Sequence, residues 1–349
     1  MFIVSSKALK KYKIFLNYKT LLSLLVLFFI LVVIFDNKTY IQASQNAVLL
    51  WANNVLPSLY IFFVFSKLLT ELDFFNYLSN FLNPLIKKIF NVSSPIGHLF
   101  FLSILSGYPV GAMLLKDAYQ NNQILYTDLH RAITFTSLTG PAFIIGTVGS
   151  LMLKNNTAGM IIYLAHLSSA ILNGLLFRNY IPKQEFEIKQ TSKTKSNKNV
   201  LADSVTSALN SILIVGAYIV FFYVILEILS NTGISNIFTA IFKKFFNIDA
   251  LPIFNGLIEV TRGISEISTL FPVKIATIIS SFLISFSGIC LHLQSFHYFK
   301  ECNVKYSFFI LQKLTHALLS TLITIPFTFL LWINKKNLNI LRVCLKKFY

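Results

Sequence analysis

The sequence predicts an all-α integral membrane protein, built as an inverted repeat of two units with interfacial helices and re-entrant hairpins. Three observations lead there. The first is composition: 55% of the 349 residues are hydrophobic, 12% are charged and 35 are Phe, where a soluble domain carries about 25% charged residues. The second is that apolar segments are interrupted in their middle by Gly, Pro, Ser and Thr, as in SGYPVGA (106–112) and TFTSLTGPAFIIGTVG (134–149). Backbone that leaves the helix at membrane depth is tolerated only when it is buried in protein or lines a cavity. The third is that these landmarks recur, in the same order, in the second half.

The net charge of +17 gathers at residues 7–19, 183–198 and 335–347, between or beyond apolar spans. That pattern is orientation by the positive-inside rule and attraction to anionic lipid, and it excludes the soluble basic face that nucleic acid needs. Cys290, Cys302 and Cys344 have neither disulfide-framework nor zinc spacing.

Residues 21–35 read as a retained first span, since no small-residue cleavage site follows. Lys7, Lys10, Lys11 and Lys13 place its N-terminus in the cytoplasm of a cell-membrane, multi-pass protein. Residues 47–69 form the next span, with Trp51 and Lys67 as interface anchors. Residues 73–91 are amphipathic and too polar to span, so they lie along the membrane surface. Residues 95–116 enter the bilayer but are broken at Ser106-Gly107-Tyr108-Pro109, because Pro109 removes a donor and pushes Tyr108 out of the α region. Residues 117–130 read as polar and solvent-facing. Residues 131–153, interrupted at Gly140-Pro141, and 159–177 read as spans. Arg178 and five lysines make residues 178–199 a cytoplasmic linker.

Beyond the linker, residues 217–229 are another Tyr/Phe-rich span, and FKKFFNI (242–248) echoes IKKIFNV (86–92). Gly263 falls where Gly107 fell, within a second interrupted segment at 252–270. Ser285 to Gly288 stand in for Ser137 to Gly140, and His316 echoes His166. Three spans per unit is an odd number, so the second unit is inverted and the broken segments meet near the midplane. The organisation is therefore 1–45 (basic segment and first span), 46–178 (first unit), 179–204 (linker), 205–334 (second unit) and 335–349 (basic tail). Seven spans leave that tail outside, so either it lies on the membrane or the chain has one span more.

Glu259, Arg262 and Glu266 share a helical face if the helix continues through Gly263. Ionisable groups at membrane depth mark substrate or ion paths: Arg262 suits an anionic group, and Glu259 or Glu266 a proton or sodium. The alternative is a solvated salt-bridge face on a surface helix. In the first hairpin, Ser106, Gly107, Tyr108 and Gly111 could offer polar groups to a ligand, or could simply let helices pack closely. Thr139 and Gly140, and Ser287, Gly288 and Gln294, flank the later breaks, where hydroxyls either bind sodium or sugar hydroxyls or re-satisfy freed backbone. His166, His316, His292 and His297 are the histidines of the late spans; a lone intramembrane His is most often a structural hydrogen-bond partner. No hydrolase, P-loop or metal motif occurs, so no enzyme, cofactor or bound metal is expected, while sodium or proton coupling stays open.

The blocks LPSLYIFFVFSKLL (56–69), NPLIKKIFNV (83–92), SGYPVGA, GPAFIIGTVG (140–149), GLIEVTRGI (256–264) and SFSGICLHLQSF (285–296) resemble the nucleoside-recognition (Gate) family, and most specifically its YlbJ branch of sporulation integral membrane proteins. The resemblance covers residues 45–330. It implies a fold similar to concentrative nucleoside transporters and a role in making the endospore, in particular its cortex. "Nucleoside" is a label inherited from the fold. The reading is a transporter-like protein in the lipid bilayer that moves or gates a small polar or anionic solute; other sporulation membrane proteins or a second copy are further partners. The alternative is a non-transporting membrane scaffold for spore-assembly proteins.

Overall fold

The structure, a computed structural model, describes residues 18–72, 74–93, 96–182, 199–246 and 250–346. The N-terminal lysines at 7–13 and most of the basic linker (183–198) lie outside the described residues. Among the described residues every regular element is helical.

Helix α1 (Tyr18–Phe35) leads into α2 (Asn37–Leu50), whose N-terminus is capped by the Asp36 carboxylate on Thr39 N at 3.4 Å. A π-helical turn (Trp51–Val55) joins α2 to α3 (Leu56–Glu71). Then follow α4 (Phe74–Phe90), the half-helices α5 (Ile96–Ser106) and α6 (Val110–Gln120), the half-helices α7 (Tyr126–Thr136) and α8 (Ala142–Met152, π-helical), and the unbroken α9 (Asn156–Leu176). The second half runs through a long α10 (Val200–Asn231), a short α11 (Ile234–Phe246), the half-helices α12 (Leu251–Ile258) and α13 (Val260–Leu270), α14 (Val273–Phe286) and α15 (Gly288–Glu301), then a long α16 (Tyr306–Lys346). The elements α4 and α11 are strongly amphipathic and each ends in a Lys-Lys pair, which suits the negative end of the helix dipole.

Five helical runs are long and apolar enough to cross a membrane: Asn37–Leu69, Asn156–Leu176, Val200–Asn231, Val273–Glu301 and Tyr306–Phe329. Their outward side chains, among them Leu209, Leu213, Phe221, Leu318, Leu322 and Phe327, are exposed, as lipid-facing residues are. Nearly all large residues of α1 are likewise exposed.

Each hairpin folds back on itself. A Cβ at Gly111 would meet Ser103 Oγ at 2.7 Å, and one at Gly263 would collide with the backbone of Gly256. Two cores hold the bundle together. One packs α4 to α7 around Phe90, Phe100 and Phe135, with Phe299 and Phe309 from the second half; Phe90 and Phe135 stack at 4.1 Å. The other joins Val55, Phe143 and Ile144 to Ile212, Ile264, Leu283 and Ile284. Both cores mix residues of the two halves, so neither half has a core to itself.

The structure corrects several expectations. The second interruption falls at Glu259, not Gly263, and α13 runs unbroken through that glycine. Gly263 is needed for the close approach of α13 to α12, which a side chain would block. Residues 117–130 are exposed only at Asn121, Asn122, Gln123 and Leu125: α6 runs to Gln120, α7 starts at Tyr126, and Asp128 and His130 are buried. Their polarity points inward, with Ser93 N donating to the Asp128 carboxylate (3.2 Å) and His130 Nδ1 against Tyr126 O (3.0 Å). Trp51 is a packing residue, its indole seated on Gly216 of α10, where a Cβ would lie 2.6 Å from the ring. The helix of residues 306–346 continues through most of the segment expected to be a tail.

Gly149 of α8 and Gly159 of α9 bring two backbones together: a Cβ on Gly149 would lie 2.7 Å from the Gly159 Cα. Overpacking such a contact costs about 1–3 kcal/mol. Gly149→Ala is therefore expected to lower the melting temperature in detergent, whereas Gly233→Ala, against open surroundings but at a φ of +77°, should lower it through backbone strain alone and by less.

Candidate functional site

Four helix breaks converge in the interior. Between α5 and α6 the chain turns at Gly107, whose φ of +67° is open to glycine, and Tyr108-Pro109 follow. Between α7 and α8 it runs Ser137-Leu138-Thr139-Gly140 without helical structure, and Pro141 (φ −62°, ψ −33°) starts the next helix. Between α12 and α13 the single extended residue Glu259 makes the break (φ −133°, ψ 111°). Between α14 and α15, Ser287 and Gly288 both take positive φ (79° and 56°).

The breaks pack on one another. A side chain at Gly107 would collide with the Gly140 backbone, and one at Gly288 would meet Gly256 O at 3.1 Å and Ile258 O at 3.3 Å. Their freed polar groups are met by side chains. Tyr108 Oη donates to Ser137 O (2.8 Å), Thr139 N to His166 Nε2 (3.0 Å), and Thr139 Oγ1 lies 3.5 Å from Ile284 O in the other half. His166 Nδ1 reaches Ser285 Oγ (2.8 Å), and His292 Nε2 reaches Phe286 O (2.6 Å). Glu259 caps α13, its two carboxylate oxygens accepting from Thr261 N (3.0 Å) and Arg262 N (2.7 Å).

Between these breaks lies a central cavity of about 40 Å³. Ser106, Tyr108, Thr139 and Gly140 line it from the first half, Glu259, Thr261, Cys290 and Gln294 from the second, and apolar Val55, Leu59, Phe143, Val215 and Ile219 complete the wall. Ser106 Oγ and Gln294 Oε1 are buried with no hydrogen-bond partner among the described residues, so this small space holds unspent polar capacity. A water needs about 10–15 Å³ of such volume; the cavity therefore takes a few waters or a small ion, and not a nucleoside.

Two further cavities flank it. One, about 30 Å³, also touches Ser106 and is lined by Phe63, Ser66, Lys67, Met113, Ser207 and Ser211. The other, about 250 Å³, is lined by Asn46, Asn53, Asn54, Tyr223, Arg262, Ser265 and Glu266. Here Arg262 is engaged on every side: Nε to Glu266 (2.9 Å), Nη2 to Glu227 (2.9 Å), Nη1 to Tyr223 O (3.1 Å), and its plane 4.3 Å from the centre of the Tyr223 ring. Asn255 Nδ2 donates to the other Glu266 oxygen at 2.7 Å.

The residues singled out by sequence thus divide. Ser106, Tyr108, Thr139, Gly140, Glu259 and Gln294 meet around one cavity, while Arg262 and Glu266 line a different one. Gly107, Gly111, Ser287 and Gly288 are backbone supports behind the cavity wall; Ser287 Oγ donates to Ile284 O at 3.1 Å. Sequence reasoning missed Lys313, fully buried in α16, with Nζ donating to Ser137 O at 3.0 Å and lying 3.4 Å from His316 Nδ1. The available signal was a lysine three residues before an intramembrane histidine, hence on the same helical face. Among the described residues no group of three His, Cys, Asp or Glu is placed to hold a metal ion.

A bundle of membrane-crossing helices around mutually packed breaks defines a multi-pass, all-helical membrane protein. Residues 52–155, from the π-helical turn through α8, match the Gate family, described as nucleoside recognition. The chain is similar to the "Sporulation integral membrane protein YlbJ" of Bacillus subtilis (strain 168), with 28% identity over 333 residues covering 88% of this chain and 81% of that protein. No solved structure matches.

His166 satisfies a backbone N–H and a hydroxyl that nothing else reaches in the described network. His166→Leu is expected to strand both and to cost about 1–3 kcal/mol or more, read as a lower melting temperature in detergent. Ser285→Ala, which removes only one of the two bonds, should lower it less.

Proposed function

We propose that this chain is a transporter-like membrane protein that moves or gates a small polar or anionic solute by alternating access, in the service of endospore formation and its cortex. The observation that carries the reading is the succession of the three cavities along one i+4 row of α10. Ser207 and Ser211 line the first, Val215 and Ile219 the central one, and Tyr223 the third. These residues follow one another at intervals of four, a row that winds slowly round the helix, and the sixteen steps from Ser207 to Tyr223 cover about 24 Å at about 1.5 Å each. That is most of a hydrocarbon core about 30 Å thick.

The opposite wall supports an inverted arrangement. Along α2 and α3, Asn46 to Asn54 line the large cavity, Val55 and Leu59 the central one, and Phe63 to Lys67 the small one. The long helices α3 and α10 hold the same place in the two series, yet pass the cavities in opposite directions, as an inverted repeat requires. The narrow central cavity, with Ser106 in its wall toward one side and Glu259 toward the other, fits an occluded state. A role in sporulation rests on the likeness to the Bacillus protein.

The path can be tested with single cysteines in a background where Cys290, Cys302 and Cys344 are replaced. Ser207→Cys and Tyr223→Cys should react with a charged, membrane-impermeant thiol reagent from opposite sides, and the lipid-facing Leu209→Cys and Leu213→Cys should not. The reverse pattern rules the path out. Ser106→Leu, which fills the shared wall, should cut solute exchange at least about tenfold, on the scale of about 1.4 kcal/mol per decade, with folding intact. Metabolite profiles of vesicles with and without the protein supply the solute; identical profiles, with spore-assembly partners still recruited, would favour a scaffold.

A further inference from the structure

Lys313 lies beside the central breaks, and the proposed path makes no use of it. It is fully buried, and it takes part in none of the ion pairs between the described residues. Its surroundings are nonetheless arranged for a cation. Nζ donates to Ser137 O at 3.0 Å, lies 3.4 Å from His316 Nδ1, and sits 5.2 Å from the centre of the Tyr108 ring. An ammonium has three N–H donors, and here are three acceptors: a carbonyl, an imidazole nitrogen and an aromatic face.

The neighbouring hydrogen bonds fix the tautomers consistently. Thr139 N–H points at His166 Nε2, so His166 Nδ1–H donates to Ser285 Oγ. His316 Nε2 meets His166 O at 3.0 Å and must donate there, which leaves its Nδ1 to accept from Lys313. In this arrangement each imidazole carries one proton, and Lys313 Nζ is the donor to both Ser137 O and His316 Nδ1. Ser137 is the residue at which α7 ends, so its carbonyl lies at the negative end of the helix dipole. Freed carbonyls at the C-terminal ends of broken membrane helices are where transporters hold small cations. Ser137 Oγ, buried and unpaired, is a second oxygen on the same residue.

We propose that the break after α7 is a monovalent-cation site, and that this chain fills it with its own Lys313 ammonium in place of a free inorganic cation. The native protein then has no need of sodium at this break. The inference stands on stability alone and holds whether or not the chain carries a solute.

The test compares melting temperatures of the full-length protein in detergent, in sodium chloride and in choline chloride at equal ionic strength. The native protein should melt alike in both. Lys313→Ala, which empties the site, should melt lower in choline and recover by several degrees in sodium or in propylammonium chloride. Lys313→Met, which fills the space with an uncharged stem, should melt lower in every salt without recovery. Sodium-dependent stabilisation of the native protein overturns the proposal, and so does a Lys313→Ala variant that melts alike in every salt. If Lys313→Ala does not fold, Lys313→Gln replaces it, keeping a donor for Ser137 but no charge. Sodium should raise its melting temperature, and identical melts in sodium and choline overturn the proposal.

Discussion

Every backbone N–H and C=O that leaves a helix inside the bilayer must find a partner within the protein, because lipid offers none. Among the described residues the helices break four times in the interior of the bundle, and the interior is organised around that constraint. The side chains that answer the breaks are buried and specific. Tyr108 and Lys313 serve the Ser137 carbonyl, His166 the Thr139 amide, His292 the Phe286 carbonyl, and Glu259 two amides of α13. Of these, the Lys313 bond crosses between the two halves, as do the bonds from His166 to Ser285 Oγ and from His316 to His166 O, so polar contacts join the halves as the two mixed hydrophobic cores do. A half taken alone would keep Tyr108 on Ser137, His166 on Thr139, His292 on Phe286 and Glu259 on α13, and would lose these crossing bonds.

The same constraint shapes the cavities. Where the breaks meet, they consume most of the polar groups they expose, and only a few-water space with two unpaired oxygens, on Ser106 and Gln294, remains. Apart from the Glu259 carboxylate in the cavity wall, charged side chains are kept away from this centre. Arg262 is locked between Glu227 and Glu266 in the larger cavity, where its side chain retains about 11% exposure, so the ion pairs do not bear the full cost of burial in lipid. Lys313 is the exception: a cation with no carboxylate among its described partners, held by a helix end, an aromatic face and an imidazole.

Part of this arrangement was legible in the chain. Gly107-Tyr108-Pro109 and Gly140-Pro141 announce their breaks, since glycine and proline act on the backbone without help from neighbours. The amphipathic stretches α4 and α11 declare themselves by period. The break at Glu259 was misplaced onto Gly263 because a glutamate carries no intrinsic signal for it; the residue is extended only because its carboxylate turns back to cap α13. Asp128 and His130 looked solvent-facing because polarity alone does not say which way a side chain points. Glu259 and Arg262, three residues apart, were read as one site, yet the first lines the central cavity and the second the outer one.

By itself the sequence determined that the chain lives in a membrane and where glycine and proline interrupt its apolar segments in the first half. These follow from transfer free energy and local backbone sterics, which depend on neighbours in the chain. Only the tertiary structure decided which breaks face one another, that Ser106 and Glu259 share a cavity, and that Lys313 reaches the end of α7 from a helix far along the chain. Those outcomes depend on satisfying polar groups across long sequence separations, and no local pattern encodes the partner.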